Sequence, residues 1–218
     1  MPHVVLINPN TNRATTERMV EIAREAAGGR FTIGGRTATH GVGLITNEKE
    51  LAAATLAVKA LAAKLPANCD GIILSAFGDP GLAELRRRTR IPIAGIGEAG
   101  LLAAADGGRR FAIATTTPGL RSSIETMIAD LGLSDRYVGT EITEGNPAEL
   151  TADHQRLETA LAAAITRAID VGGAQAVVIG GGPLAVVARR LAGRFSVPII
   201  EPIPEAVRRL ERALLDRK

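Results

Sequence analysis

The chain has almost no aromatic side chains: four Phe, one Tyr and no Trp, 2% of its 218 residues. Sequence-tolerant nucleic-acid binders need aromatic faces on which bases can stack. The arginine-bearing stretches "RRRTR" (86–90) and "RRLERALLDRK" (208–218) therefore read as solvated helix faces, and the net charge of +3 implies no nucleic-acid partner. Cysteine is equally scarce. A lone Cys69 excludes an internal disulfide and any cysteine-based metal cluster. His3, His40 and His154 stand far apart without ligand spacing, so no metal is expected. No Walker loop or dinucleotide fingerprint occurs, and "GGRFTIGG" follows a helical stretch rather than opening one. No apolar run approaches the ~20 residues that span a bilayer. The opening "MPHVVLINPNT" lacks a basic segment, an apolar stretch and a cleavage site. These absences together lead to the expectation of a cytoplasmic protein with no membrane partner.

What the chain does contain is alternation. Short apolar runs at 3–8, 31–38, 71–76, 91–94, 110–115, 137–142, 175–180 and 197–200 read as strands. Alanine-rich helical stretches lie between them, at about 12–27, 47–65, 80–89, 98–106, 118–131, 147–171, 183–193 and 204–216. This pattern predicts an α/β fold with parallel sheets and helices on both faces. Asn47 with Glu50, and Asn146-Pro147-Ala148-Glu149, read as helix caps with a carboxylate three residues on.

The chain is also written twice. "GIILSAFGDPGLAELRRRTRIPIAGIGEA" (71–99) resembles "AVVIGGGPLAVVARRLAGRFSVPIIEPIPEA" (176–206), and "HVVLINPNT" (3–11) aligns with "RFAIATTTP" (110–118), both at an offset near 105 residues. Two segments sharing one offset predict two similar Rossmann-like lobes about a pseudo-two-fold axis. Residues 1–97 plus 202–218 would form the first and 98–201 the second. Ligands of parallel sheets bind beyond the carboxyl ends of the strands. That places Asn8 and Asn10, Phe77-Gly78-Asp79, Thr115-Thr116-Thr117 and Gly181-Gly182 around one cleft. Their amides, hydroxyls and backbone N–H groups suit a small anion or a carbonyl oxygen. Each also has a plain structural reading as turn or cap chemistry.

"INPNT", "FGDPGL", "PIAGIGEA", "TTTPG" and "VVIGGGPLA…VPIIEPI" resemble the aspartate/glutamate/hydantoin racemase superfamily, most nearly its hydantoin racemase branch. The resemblance runs from residue 4 to about 207. It implies a cofactor-independent enzyme with its site between two lobes. It also implies two cysteines, one at each repeat's strand end, that remove and return a proton on opposite faces of the substrate. In this chain those positions match Ala76 and Gly181, and neither is a thiol. Cys69 lies seven residues before Ala76, ~20 Å away at strand rise. Ser75 adjoins the vacant position, but neighbouring strand residues point to opposite faces. A two-thiol mechanism is thereby excluded.

Two other groups are candidate bases. His40 begins the loop "THGVGLIT", which in the family lies near the substrate, and Glu201 ends "VPII", where the family places an aspartate. Asp79 and Glu98 read first as helix-terminus carboxylates. The leading expectation is a racemase or isomerase acting next to a carbonyl of a small carboxylate or cyclic imide or ureide, with His40 or Glu201 as base. A hydrolase or lyase in the same pocket, and a catalytically silent ligand-binding protein, are the alternatives. The alanine- and leucine-rich helices suggest a homo-oligomer.

Overall fold

A computed structural model describes residues 1–216. Its framework is two four-stranded parallel sheets. The first has the order β2-β1-β3-β4 and contains β1 (His3–Asn8), β2 (Thr32–Thr37), β3 (Gly71–Leu74) and β4 (Ile93–Gly95). The second has the order β6-β5-β7-β8 and contains β5 (Phe111–Thr115), β6 (Tyr137–Ile142), β7 (Ala176–Ile179) and β8 (Ile199–Ile200). The two orders are the same once the repeat is counted. Central strands β1, β3, β5 and β7 are covered on both faces, which is why they read as continuous apolar runs rather than alternating ones.

Nine α-helices among the described residues cover these sheets: α1 (Arg13–Ala27), α2 (Glu48–Ala62), α3 (Leu82–Arg88), α4 (Ile96–Ala104), α5 (Arg121–Asp130), α6 (Pro147–Ala152), α7 (His154–Asp170), α8 (Ala185–Leu191) and α9 (Pro202–Leu215). Local chemistry sets their ends. Asn12 and Asn47 cap α1 and α2 by accepting from Thr15 N and Glu50 N. Gly28, at φ 55°, closes α1 in the left-handed conformation. The helix expected over 147–171 is two helices. Asp153 breaks it by adopting an extended conformation and accepting from the N–H groups of Gln155 and Arg156, which starts α7 afresh.

Two helices leave the sheet that precedes them. α4 follows β4 of the first sheet, yet Leu101 and Ala104 pack with Phe111, Ile113 and Val178 of the second. α9 follows β8 of the second sheet, yet Ile203, Val207 and Leu210 pack with Val4, Leu6 and Ile73 of the first. The two crossing helices also pack on each other. Glycines permit the contact: a Cβ on Gly100 would meet Val178 at 3.2 Å and Pro202 at 3.3 Å, and one on Gly71 would meet Leu210 at 3.1 Å. This exchange sets the carboxyl ends of the two sheets around a shared cavity.

Leu210 is 1% exposed, so Leu210→Ala removes a side chain from the seam that holds α9 to the first sheet. The expected cost is about 2–5 kcal/mol, measured as a fall in the free energy of unfolding in urea.

Candidate active site

The cavity lies where four strand-to-helix turns converge. Asn10 comes from the turn after β1, Ala76 and Phe77 from the turn after β3, Thr116 and Thr117 from the turn after β5, and Gly181 and Gly182 from the turn after β7. It measures about 50 Å³, where one water needs about 10–15 Å³. It therefore suits one compact molecule.

Much of its lining is apolar, and its polar chemistry comes largely from donors. The main-chain N–H groups of Ala76, Phe77, Thr116, Thr117 and Gly182 have no hydrogen-bond acceptor among the described residues, and all five residues line the cavity. Asn10 turns its side-chain oxygen inward, to Asn8 Nδ2 at 2.8 Å and Asn12 N at 3.0 Å. That leaves its amide nitrogen to donate. The hydroxyl of Thr116 likewise has no hydrogen-bond partner among the described residues. Two donors come from side chains and five from backbone, so the site can meet an anion or a polarised carbonyl without spending side-chain entropy. Among the described residues, no Asp, Glu, His, Lys, Arg, Cys or Tyr lines the cavity.

Several residues expected at the cleft hold it up from behind. Asn8 is fully buried and binds Asn10 and Thr16 through Nδ2 while its oxygen accepts from Asn10 N, so it shapes the first turn. Thr115 is also fully buried and donates to Gly180 O at 2.6 Å, which ties the turns after β5 and β7 together. Gly78 and Asp79 face a separate groove beside α3 and α5. Asp79 is a cap, but not of the helix that follows it. Its carboxylate accepts from Gly97 N at 3.0 Å and Glu98 N at 2.7 Å, at the start of α4. Room for it depends on glycine, because a Cβ at Gly95 would stand 2.4 Å from Asp79 Cγ. Glu98 itself pairs with Arg86 and Arg209.

Both candidate bases lie outside the cavity. His40 is exposed, bonds Thr39 Oγ1 at 2.9 Å and borders an adjoining hollow with Lys49 and Glu50. Glu201 occupies the cap position of α9, with Arg189 Nε 3.5 Å from its Oε2, an ion-pair distance. Burial raises the Glu201 carboxyl, and the Arg189 charge opposes that shift. Cys69 sits before β3, buried, with its thiol donating to Gly71 O at 3.3 Å and pushed up by desolvation. Ser75 directs its hydroxyl to Met19 Sδ at 3.0 Å.

The sequence reading missed the apolar wall of Leu44, Ile45, Leu120, Ile124 and Leu184, and also Thr151. Leu44 and Ile45 belong to the loop that begins at His40. The loop is tied to the first lobe by Thr11 N donating to Val42 O at 2.9 Å and to the other lobe by a parallel bridge between Asn47 and Gly119.

A family model described as Asp/Glu/Hydantoin racemase matches residues 4–210. The chain belongs to the Asp/Glu/hydantoin racemase family. A hydantoin racemase of Paenarthrobacter aurescens is 27% identical over 208 residues, 94% of this chain and 88% of that one. An allantoin racemase from Klebsiella pneumoniae has a TM-score of 0.92 at 27% identity, covering 100% of this chain and 89% of that one. An allantoin racemase from Pseudomonas fluorescens shares the fold, with a TM-score of 0.93 at 24% identity over 99% of this chain and 92% of that one. The one cysteine of the chain lies outside the cavity, and none of the described residues that line it is titratable.

Asp79 ties this racemase-family turn to α4, and its ionisation should be visible in stability. Burial outweighs the two N–H donors and the Arg86 charge, and the carboxyl is pushed up from 3.8 to about 7. The folded state then holds a proton over this window that the unfolded state releases. Stability from this group is highest below about pH 4 and falls as pH rises to about 7. The displacement corresponds to on the order of 4 kcal/mol. Asp79→Asn cannot ionise, so its melting temperature should fall less between pH 4.5 and 7.5 than that of the wild type. Parallel curves for the two proteins would count against the assignment.

Proposed function

We propose that the interlobe cavity binds a compact carbonyl compound, a small carboxylate or a cyclic ureide, and activates the hydrogen next to its carbonyl by polarising the oxygen. One observation carries this reading. Seven donors without a partner among the described residues belong to residues that line the cavity, and none of its described lining side chains can take up a proton near neutral pH. Charge that develops on the carbonyl oxygen when the neighbouring C–H is lost would meet fixed dipoles, which cost no reorganisation during the reaction. Ala76 and Gly181 stand at the two strand ends where the family resemblance implies thiols. In this reading the oxygen-binding half of racemase chemistry is retained, the two-thiol half is gone, and solvent carries the proton.

His40 and Glu201 take no part as bases in this scheme. An exposed imidazole in a neighbouring hollow and a carboxylate 3.5 Å from Arg189 Nε at the start of α9 are both outside the cavity. A silent binding protein is the second reading. The lack of a base among the described lining residues favours it, since polarising the oxygen leaves the departing proton without a positioned acceptor.

The test is proton NMR in D₂O with hydantoin and small α-substituted acids. Exchange of the hydrogen next to the carbonyl should accelerate over the protein-free rate and rise about tenfold per pH unit, as expected for hydroxide as the base, without the plateau that a titrating side chain imposes. Thr116→Val, which removes a free hydroxyl at nearly constant shape, should weaken ligand binding about 3–10-fold. Binding without exchange would establish the silent reading. Exchange abolished by His40→Ala or Glu201→Gln would overturn the solvent-base scheme.

A further inference from the structure

The two halves of the chain place a fully buried polar residue at the same point of the repeat, Asn8 at the end of β1 and Thr115 at the end of β5. Each bonds the side chain two residues on, Asn10 at 2.8 Å and Thr117 at 3.2 Å, and both of those residues line the cavity. The sense of each bond follows from partners that can only donate or only accept. Asn12 N–H donates to Asn10 Oδ1 at 3.0 Å, and Asn10 N–H donates to Asn8 Oδ1 at 3.2 Å, so backbone donors fix both amide orientations. Asn8 Nδ2 therefore donates to Asn10 Oδ1, and Asn10 is left with an amide nitrogen to offer. In the second half the sense is reversed. A threonine hydroxyl has one proton, and that of Thr115 goes to Gly180 O, a carbonyl 2.6 Å away. Thr115 Oγ1 then can only accept from Thr117, which leaves the Thr117 hydroxyl with lone pairs alone.

We infer that Thr115 is a positioning residue: by committing its own proton to Gly180 O it turns the Thr117 hydroxyl into an acceptor, and a ligand carbonyl must carry a neighbouring N–H to meet it. The inference rests on the carbonyl-binding reading above and adds this second polarity. Thr115 itself is fully buried and does not line the cavity, so it acts only through Thr117. The carbonyl oxygen suits the side where Asn10 donates, and the adjacent N–H suits the side where Thr117 accepts. Opposite polarities at equivalent positions give a cleft built from two similar halves one preferred ligand direction. An ionised carboxylate accepts at both oxygens and would set one of them against the Thr117 lone pairs.

The experiment measures affinities for 2-pyrrolidinone and γ-butyrolactone by ligand-observed NMR titration. The two rings share size and carbonyl, and a ring oxygen replaces the N–H in the second. The wild type should bind the lactam about tenfold tighter, because the lactone leaves an acceptor facing an acceptor. The lactam carbonyl is also the stronger acceptor, so the decisive quantity is the change in this ratio between variants. Thr115→Val frees the Thr117 proton, and the ratio should fall below about threefold. Thr115→Ser keeps the bond to Gly180 O and should hold the ratio within about twofold of the wild type. Loss of packing alone would weaken both probes alike and leave the ratio unchanged. Thr117→Val should lower the ratio in the same way and supplies the test if Thr115→Val fails to fold. An unchanged ratio in the folded valine variants, or a ratio lost equally in Thr115→Ser, would overturn the assignment and leave the carbonyl reading standing. Failure of both probes to bind the wild type would overturn the carbonyl reading and the assignment together.

Discussion

The exchange of α4 and α9 between the two sheets is the constraint on which the rest depends. Each helix leaves the strand before it and packs apolar side chains into the other lobe's core, α4 through Leu101 and Ala104 and α9 through Ile203, Val207 and Leu210, so one layer of each sheet's cover comes from the partner half of the chain. The carboxyl ends of both sheets are thereby held face to face. Four turns that in a single sheet would face solvent become the walls of one cavity. Capping follows the same asymmetry. α4 opens with N–H groups that Asp79 must satisfy, whereas α9 opens with Pro202 and Pro204, which have no N–H to satisfy. At Gly182 a side chain would collide, with a Cβ 2.6 Å from Met19 Sδ.

That geometry separates two tasks that acid–base enzymes usually combine. Binding oxygen needs fixed dipoles, and the strand-to-helix turns supply them from the backbone regardless of side chain. Moving a proton needs a titratable group at the same place, and here the side chains lining the cavity are hydroxyls, an amide and hydrocarbons. The ionisable groups nearby are engaged elsewhere: Asp79 in capping α4, Glu98 in pairing with Arg86 and Arg209, and Glu201 in facing Arg189. The backbone can keep an oxyanion site when the residues that performed chemistry beside it change.

Much of the fold was legible in the sequence because its signals are local or repetitive. All eight strands lie where short apolar runs predict them, and the shared offset between "GIILSAFGDPG" and "AVVIGGGPLA" announces the two similar sheets. The break at Asp153 was missed because the alanine-rich stretch 147–171 keeps its helical period across it. The turns of the site were legible for the same reason as the strands. The direction of each side chain was not. Asn8 and Asn10 are two residues apart, and Thr115 and Thr116 are adjacent, yet one of each pair supports the turn while the other lines the cavity. The apolar wall was invisible because Leu44 and Ile45 lie in an irregular loop whose place is set by tertiary contacts, among them the bridge between lobes at Asn47 and Gly119.

The most direct measurement is the racemisation rate of an enantiopure 5-alkylhydantoin with the wild-type protein and with the Ala76→Cys/Gly181→Cys double variant. Leu184 must yield slightly for the second thiol, since a Cβ at Gly181 would stand 3.1 Å from its Cγ. If the cavity is a racemase site that keeps its oxygen donors and lacks only its proton-transfer groups, the folded double variant gains a rate that a thiol-alkylating reagent abolishes, while the wild type shows none that such a reagent affects. A folded double variant that binds the hydantoin yet racemises it no faster than the wild type would contradict this.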